Sequence, residues 1–423
     1  MSGSTESGRP NADGGRGADR RSVPRSGGGG GLGLRLPTGD GRLEDYRLIG
    51  EPVAQGTYEP ARSRLAFAAA HVVADPLGDN SPGQPAAIDW EHTLEFRHHL
   101  WSLGLSVAEA MDTAQRGMGL DWTATQELVR RSAAEAPTHP RTVGAAEKRI
   151  AVGVGTDQLP AGMQALDAVI AAYEEQLALA EEVGAQPILM ASRALCAAAA
   201  SPDDYRKVYD RLLGQSSRPV ILHWLGSMFD PALEGYWGSD SLDTATDVVV
   251  DLINENAGRV DGIKVSLLDA SREVALRNRL PEGVRLYTGD DFNYPELIRG
   301  DETRHSDALL GIFAAIAPAA AAALKALDDG DLAKYEEVFA PTVPLARQIF
   351  SAPTYYYKTG IAFLAWLNGH QPGFGMVGGL QTGRSLPHLA ETFRLADAAG
   401  VLTDPELAVK RFRRLLVVGG VDA

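Results

Sequence analysis

The chain has 423 residues, 44% of them hydrophobic and 22% charged, with a formal net charge of −15. This composition suits an ordinary globular protein with room for one barrel-sized domain or two smaller ones, and the acidic balance, with no Lys/Arg cluster beyond the N-terminal segment, argues against a nucleic-acid partner and for a small-molecule substrate. The lone cysteine, Cys196, excludes an internal disulfide, no Cys/His spacing suggests zinc, and neither a signal-type run nor a membrane-length apolar stretch occurs, so a cytoplasmic protein without a membrane partner is expected.

Residues 1–36 are rich in Gly, Ser, Arg and Asp and read as a disordered tail that can bury almost nothing. From Arg64 onward, short apolar runs alternate with helical patterns. The runs are Leu65–Val73, Leu105–Met111, Ile150–Val154, Pro187–Met190, Pro219–Trp224, Val260–Val265, Val284–Thr288 and Ala308–Ile312. Between them, Met163–Val183, Asp203–Leu213 and Thr244–Ile253 repeat apolar residues at spacings of three and four. Strands apolar on both faces, joined by helical crossovers and eight in number, predict a parallel (β/α)8 barrel. An open doubly wound sheet would share the pattern, but no GxGxxG turn follows the first strand. We place the barrel in residues 37–317 and a C-terminal helical extension in residues 318–423. Candidate helices of the extension are Ala319–Leu327, Leu332–Phe350, Tyr356–Leu367, Leu386–Ala399 and Pro405–Leu416; it packs on the barrel or contacts a sister subunit. The Gly-rich connection Pro372–Gly383 reads as a flexible loop.

One stretch of the barrel carries an unusual residue. Val260-Asp261-Gly262-Ile263-Lys264-Val265-Ser266 sets a lysine in an apolar, β-prone run. A buried lysine needs a partner or a purpose, and a desolvated, neutral ε-amine is the nucleophile that condenses with a carbonyl to give a Schiff base. In a parallel barrel, ligands bind at the C-terminal ends of the strands, so the residues closing the apolar runs form the candidate site. These are His71 and Asp75, Asp112 and Thr113, Ser192 and Arg193, His223, Lys264 and Ser266, and Asp290, Asp291 and Asn293. Asp290 and Asp291 equally fit a turn or a helix cap. A rival reading is a metal-dependent isomerase or hydrolase using His71, Asp75, His223 and Asp290 or Asp291 as ligands, and another is a barrel that only binds. Both leave Lys264 without a purpose.

The order of these features resembles the dihydrodipicolinate synthase and N-acetylneuraminate lyase family of class I aldolases. Arg149-Ile150-Ala151-Val152-Gly153-Val154-Gly155 is similar to its third strand, Asp261-Gly262-Ile263-Lys264 to its Schiff-base lysine strand, and Thr288-Gly289-Asp290-Asp291 to the strand that follows. Leu309-Leu310-Gly311-Ile312 through Pro318 resembles its eighth strand and next helix, and Gly330-Asp331-Leu332, Ile349-Phe350 and Lys358 resemble its helical tail. The likeness spans roughly residues 64–368. It departs at Met111-Asp112-Thr113-Ala114-Gln115-Arg116, where the family has a paired-threonine turn that holds a carboxylate, and at Pro219-Val220-Ile221-Leu222-His223-Trp224, where the family tyrosine is replaced by His223. The resemblance implies a cofactor-independent, oligomeric lyase or dehydratase acting on a keto acid or keto-sugar derivative. It also implies that Lys264 forms the imine, that His223 moves the proton, and that Thr113 holds a carboxylate or carbonyl oxygen. Asp112, Arg193, Ser266, Asp290, Asp291, Asn293 and His71 would surround the substrate.

Overall fold

The computed structural model describes residues 32–140 and 149–421. The chain begins with an antiparallel hairpin of β1 (Gly33–Pro37) and β2 (Leu43–Arg47). Eight parallel strands follow: β3 (Ala66–Ala69), β4 (Ser106–Glu109), β5 (Ile150–Val154), β6 (Gln186–Leu189), β7 (Val220–Leu225), β8 (Val260–Ser266), β9 (Arg285–Thr288) and β10 (Asp307–Leu310). They close in chain order, β10 pairing with both β9 and β3. Each of the eight expected runs overlaps one of these strands, four of which reach one residue beyond the run.

The helices between them are α1 (Trp90–Ser102), α2 (Trp122–Glu135), α3 (Leu166–Glu182), α4 (Arg193–Ala198), α5 (Pro202–Gln215), α6 (Leu242–Glu255), α7 (Ala270–Arg277) and α8 (Tyr294–Arg299). Their starts follow local chemistry: Asp89, Asp121, Ser192, Ser241 and Asp269 accept backbone N–H groups at the N-termini of α1, α2, α4, α6 and α7. The apolar stripe of α5, Tyr205, Val208, Tyr209, Leu212 and Leu213, is buried on the barrel wall. Each such side chain contributes about 1.5–3 kcal/mol by leaving water. Inside the barrel, Phe67, Ala108, Ala151, Ile188, Ile221, Tyr287 and Leu309 fill the lower layers.

The rest of the chain is helical: α9 (Ala317–Asp328), α10 (Leu332–Phe339), α11 (Thr342–Ile349), α12 (Tyr357–Leu367), α13 (Leu386–Ala398) and α14 (Pro405–Val418). The single helix expected over Leu332–Phe350 is two. Pro341 cannot donate an N–H to the turn before it, and its ring clashes with the preceding carbonyls, so α10 ends and α11 starts anew.

The expected tail boundary also moves. Residues 1–31 lie outside the described residues, but residues 33–36 belong to β1, where Leu34 and Leu36 are buried. The hairpin packs on the extension rather than the barrel: Tyr46 donates to Asp397 Oδ2 (2.6 Å) and Arg413 to the Gly33 carbonyl (2.8 Å). The Gly-rich connection is docked, with Gln115 Nε2 donating to the Val377 carbonyl at 2.8 Å. No helix among the described residues is long and apolar enough to cross a membrane.

Candidate active site

Strand alternation aims Gly262, Lys264 and Ser266 of β8 at the barrel axis, with Lys264 near the C-terminal end. Its aliphatic stem needs room, which the neighbouring strand supplies by lacking a side chain: a Cβ on Gly289 would stand 2.8 Å from Lys264 Cε. Lys264 is 8% exposed and forms no ion pair with any described residue. Burial pushes its ammonium below the usual lysine range, against the opposing pull of Asp112 and Asp291.

The ε-amine shares a cavity of about 20 Å³ with Asp112, Thr113, Ser266, Asp291 and Tyr357. That is room for a single water-sized group. Phe229, Phe350 and Tyr357 roof it; the last two stack with ring centroids 4.3 Å apart, and Phe229 meets Tyr357 edge-on. Gly311 is glycine for the same reason as Gly289, since a Cβ there would reach 3.0 Å from Phe350 and 3.1 Å from Tyr357.

Two proton carriers face this chamber. Burial drives the Asp291 carboxyl up to about 7, although it accepts the Ile312 N–H (2.9 Å) and feels Lys264. Tyr357 and Thr113 share a hydrogen bond of 2.8 Å between hydroxyls, and burial carries the Tyr357 phenol well above its ordinary range. Tyr357 is the polar chamber residue that sequence reasoning missed. It comes from α12, beyond the barrel, and no local motif marks it.

The turn that carries Asp112 and Thr113 is held from beneath. Glu109, at the end of β4, is fully buried and forms a bidentate pair with Arg97 of α1 (2.8 and 2.9 Å), and Arg97 also donates to the His71 and Thr93 carbonyls. A few residues on, Arg116 commits all five of its N–H groups, to Asp157, Gln176 and the carbonyls of Ala110 and Gly153.

The structure brings Lys264, Asp112, Thr113, Ser266 and Asp291 together, and sets the other expected site residues elsewhere. His223 pairs in register with Lys264 on the adjacent strand. Its ring is completely buried, neither nitrogen has a hydrogen-bond partner among the described residues, and it is absent from the chamber wall. Burial, with the Lys264 charge beside it, holds the imidazole neutral. His71 lies under the extension, bonded to Gln371 (2.9 Å) and packed edge-on against Phe96. Asp290 caps the turn after β9 by accepting from Phe292 and Asn293, and Asn293 is spent on Asp290 and Arg347. Arg193 sits at an outer rim, paired with Asp230. The metal reading loses its ligand set, because among the described residues no three His, Cys, Asp or Glu side chains, His71, Asp75 and His223 included, gather as a metal site requires.

The fold has clear counterparts among solved structures. A dihydrodipicolinate synthase from Bacillus clausii superposes with a TM-score of 0.58 at 14% identity, covering 79% of this chain and 97% of that one. The enzyme from Thermotoga maritima gives 0.57 at 15% identity, covering 81% and 100%. That from Aquifex aeolicus gives 0.54 at 14%, covering 85% and 99%. At such identities the likeness establishes the barrel and its helical tail. No curated protein shows significant similarity to the sequence. The family model described as "Protein of unknown function (DUF993)" matches residues 34–421, hairpin, barrel and extension together, and the chain belongs to that family.

Proposed function

We propose that the protein is a Schiff-base-forming lyase, cleaving a carbon–carbon bond or eliminating water from a keto acid or keto-sugar derivative without a cofactor. The observation that carries this reading is Lys264, a desolvated lysine at the mouth end of a barrel strand, in a chamber whose other polar groups can move protons. Its amine adds to the substrate carbonyl and water leaves from the carbinolamine. The resulting iminium draws electrons from the bond being broken and passes to the enamine.

Such a cycle takes a proton from a substrate hydroxyl and returns one to the enamine carbon. In this reading Tyr357 does both, through the Tyr357–Thr113 hydrogen bond, in place of the His223 expected from the sequence. Asp291 takes and returns the proton that the lysine sheds. Burial of all three groups keeps competing water out. A cleft over the β5–β7 ends adjoins the chamber and gives the substrate its approach.

Enamine formation can be read without knowing the substrate. In D2O, the protein should exchange the methyl protons of pyruvate, followed by proton NMR. Lys264→Arg, which keeps the charge and removes the nucleophile, should abolish exchange with the fold intact by circular dichroism. Exchange undiminished in Lys264→Arg would exclude the proposal.

A further inference from the structure

The chamber is too small for a whole aldol adduct, and the space next to it defines what the remainder of the substrate is. A cleft of about 790 Å³ shares Asp112 and Leu225 with the chamber and runs over the ends of β5, β6 and β7 to the first residues of α4. It does not extend to the Asp290 side, where the turn is internally bonded. Its walls combine soft apolar residues, such as Met163, Met190 and Leu233, with small ones from α4.

Carboxylates outnumber cations along it. Arg116 has no N–H left to give, and the Thr156 and Ser192 hydroxyls bond each other at 2.6 Å, Ser192 also capping α4. Arg193 pairs with Asp230 through Nε, and the terminal nitrogens of its largely exposed guanidinium bond no described residue. The nearby Lys358 is buried outside the cleft wall, donating to the Tyr355 carbonyl (3.0 Å) and lying over the Tyr357 ring. Against the two arginines the cleft presents the carboxylates of Asp157, Asp230, Glu234 and Asp112. Asp112 stands half-buried at the junction, and its carboxylate accepts no hydrogen bond from a described residue. A second anion arriving there meets the unpaired negative charge of Asp112 in a cleft whose carboxylates outnumber its arginines.

We infer that the cleft takes a bulky, uncharged substituent on the far side of the scissile bond and rejects a carboxylate or phosphate, with Asp112 as the residue that imposes the choice. This rests on the lyase reading for the bond cleaved, but not for the binding. Cys196, the only cysteine of the chain, lines the same cleft half-buried and reports its occupancy without any imine chemistry.

The test uses 4-hydroxy-2-oxo acids that differ only at carbon 4, bearing methyl, phenyl, carboxylate or phosphonooxymethyl. The phenyl compound should be cleaved with a kcat/KM about tenfold or more above each of the others. It alone should slow alkylation of Cys196 by N-ethylmaleimide, and should do so in Lys264→Met as well. Asp112→Asn should narrow the gap between phenyl and carboxylate, and Ala194→Phe, which fills the cleft, should erase the advantage of phenyl over methyl. Protection of Cys196 by the carboxylate or phosphonooxymethyl compound, or equal handling of phenyl and methyl, overturns the inference. If the phenyl compound protects Cys196 while pyruvate protons do not exchange, the lyase reading falls and the cleft assignment stands.

Discussion

Lys264 can enter the chamber only because a neighbouring strand omits a side chain, so the clearest residue-scale prediction concerns Gly289. Gly289→Ala places a methyl group 2.8 Å from Lys264 Cε and still closer to Ser266 Oγ, in an interior with no slack. Its backbone is not in the left-handed region, so alanine brings crowding without backbone strain. Pyruvate proton exchange should fall by about tenfold or more, with the far-ultraviolet spectrum unchanged. A second prediction separates the two proton carriers. Tyr357→Phe and Thr113→Val should each slow exchange by about 10²- to 10⁴-fold while the lysine still forms the imine, and His223→Phe should slow it far less. Exchange that depends on His223 and ignores Tyr357 would restore the role read from the sequence. That reading followed strand position, which told correctly that residue 223 points inward, but not that its depth leaves it below the chamber.

At the scale of elements, the most committed contact is that of α1 with the end of β4. Removing one partner of a fully buried, hydrogen-bonded pair strands the other charge in the core. Arg97→Met should therefore cost about 3–5 kcal/mol, measured from urea denaturation midpoints, and Arg97→Met with Glu109→Leu should cost less than Arg97→Met alone. Most elements were legible in the sequence, because buried parallel strands are apolar on both faces and crossover helices carry a one-sided stripe. The exceptions have local causes. Leu32, Leu34 and Leu36 alternate as a strand should, but follow directly on the glycine run and were absorbed into the tail. Pro341 announced the break between α10 and α11, which the continuous apolar periodicity concealed. Tyr357 was beyond reach in another sense: its place follows from α12 folding over the barrel mouth, a contact between residues 244 positions apart.

The whole molecule stores a set of neutral histidines. Burial lowers His71 and His370 to about 3 and His99 and His388 to about 4, and holds His223 well below its ordinary value. The unfolded chain takes up protons at these residues below about pH 6.5, and the folded chain does not, so their contribution is present above 6.5 and lost as the pH falls toward 4. At one unit below 6.5 the cost is on the order of 1 kcal/mol for each of the fully buried His71 and His223. Glu273 and Asp291 act in the opposite sense: raised to about 8 and about 7, they stabilise the fold at low pH and lose that contribution as the pH rises through those values. With these five histidines and His305, which burial also lowers, against two carboxyls, stability should peak near pH 6.5 and fall steeply on the acid side. Urea midpoints from pH 5 to pH 8.5 check this, and a midpoint at pH 5 equal to that at pH 7 would refute it.

The central claim is the identity of the nucleophile. The protein should be incubated with pyruvate, reduced with borohydride and digested, and the modified peptide mapped by mass spectrometry. The account predicts one stoichiometric reduced adduct on the peptide containing Lys264, none in Lys264→Arg, and an unmodified Lys358. An adduct on Lys358, or none on Lys264 at saturating pyruvate, would contradict it.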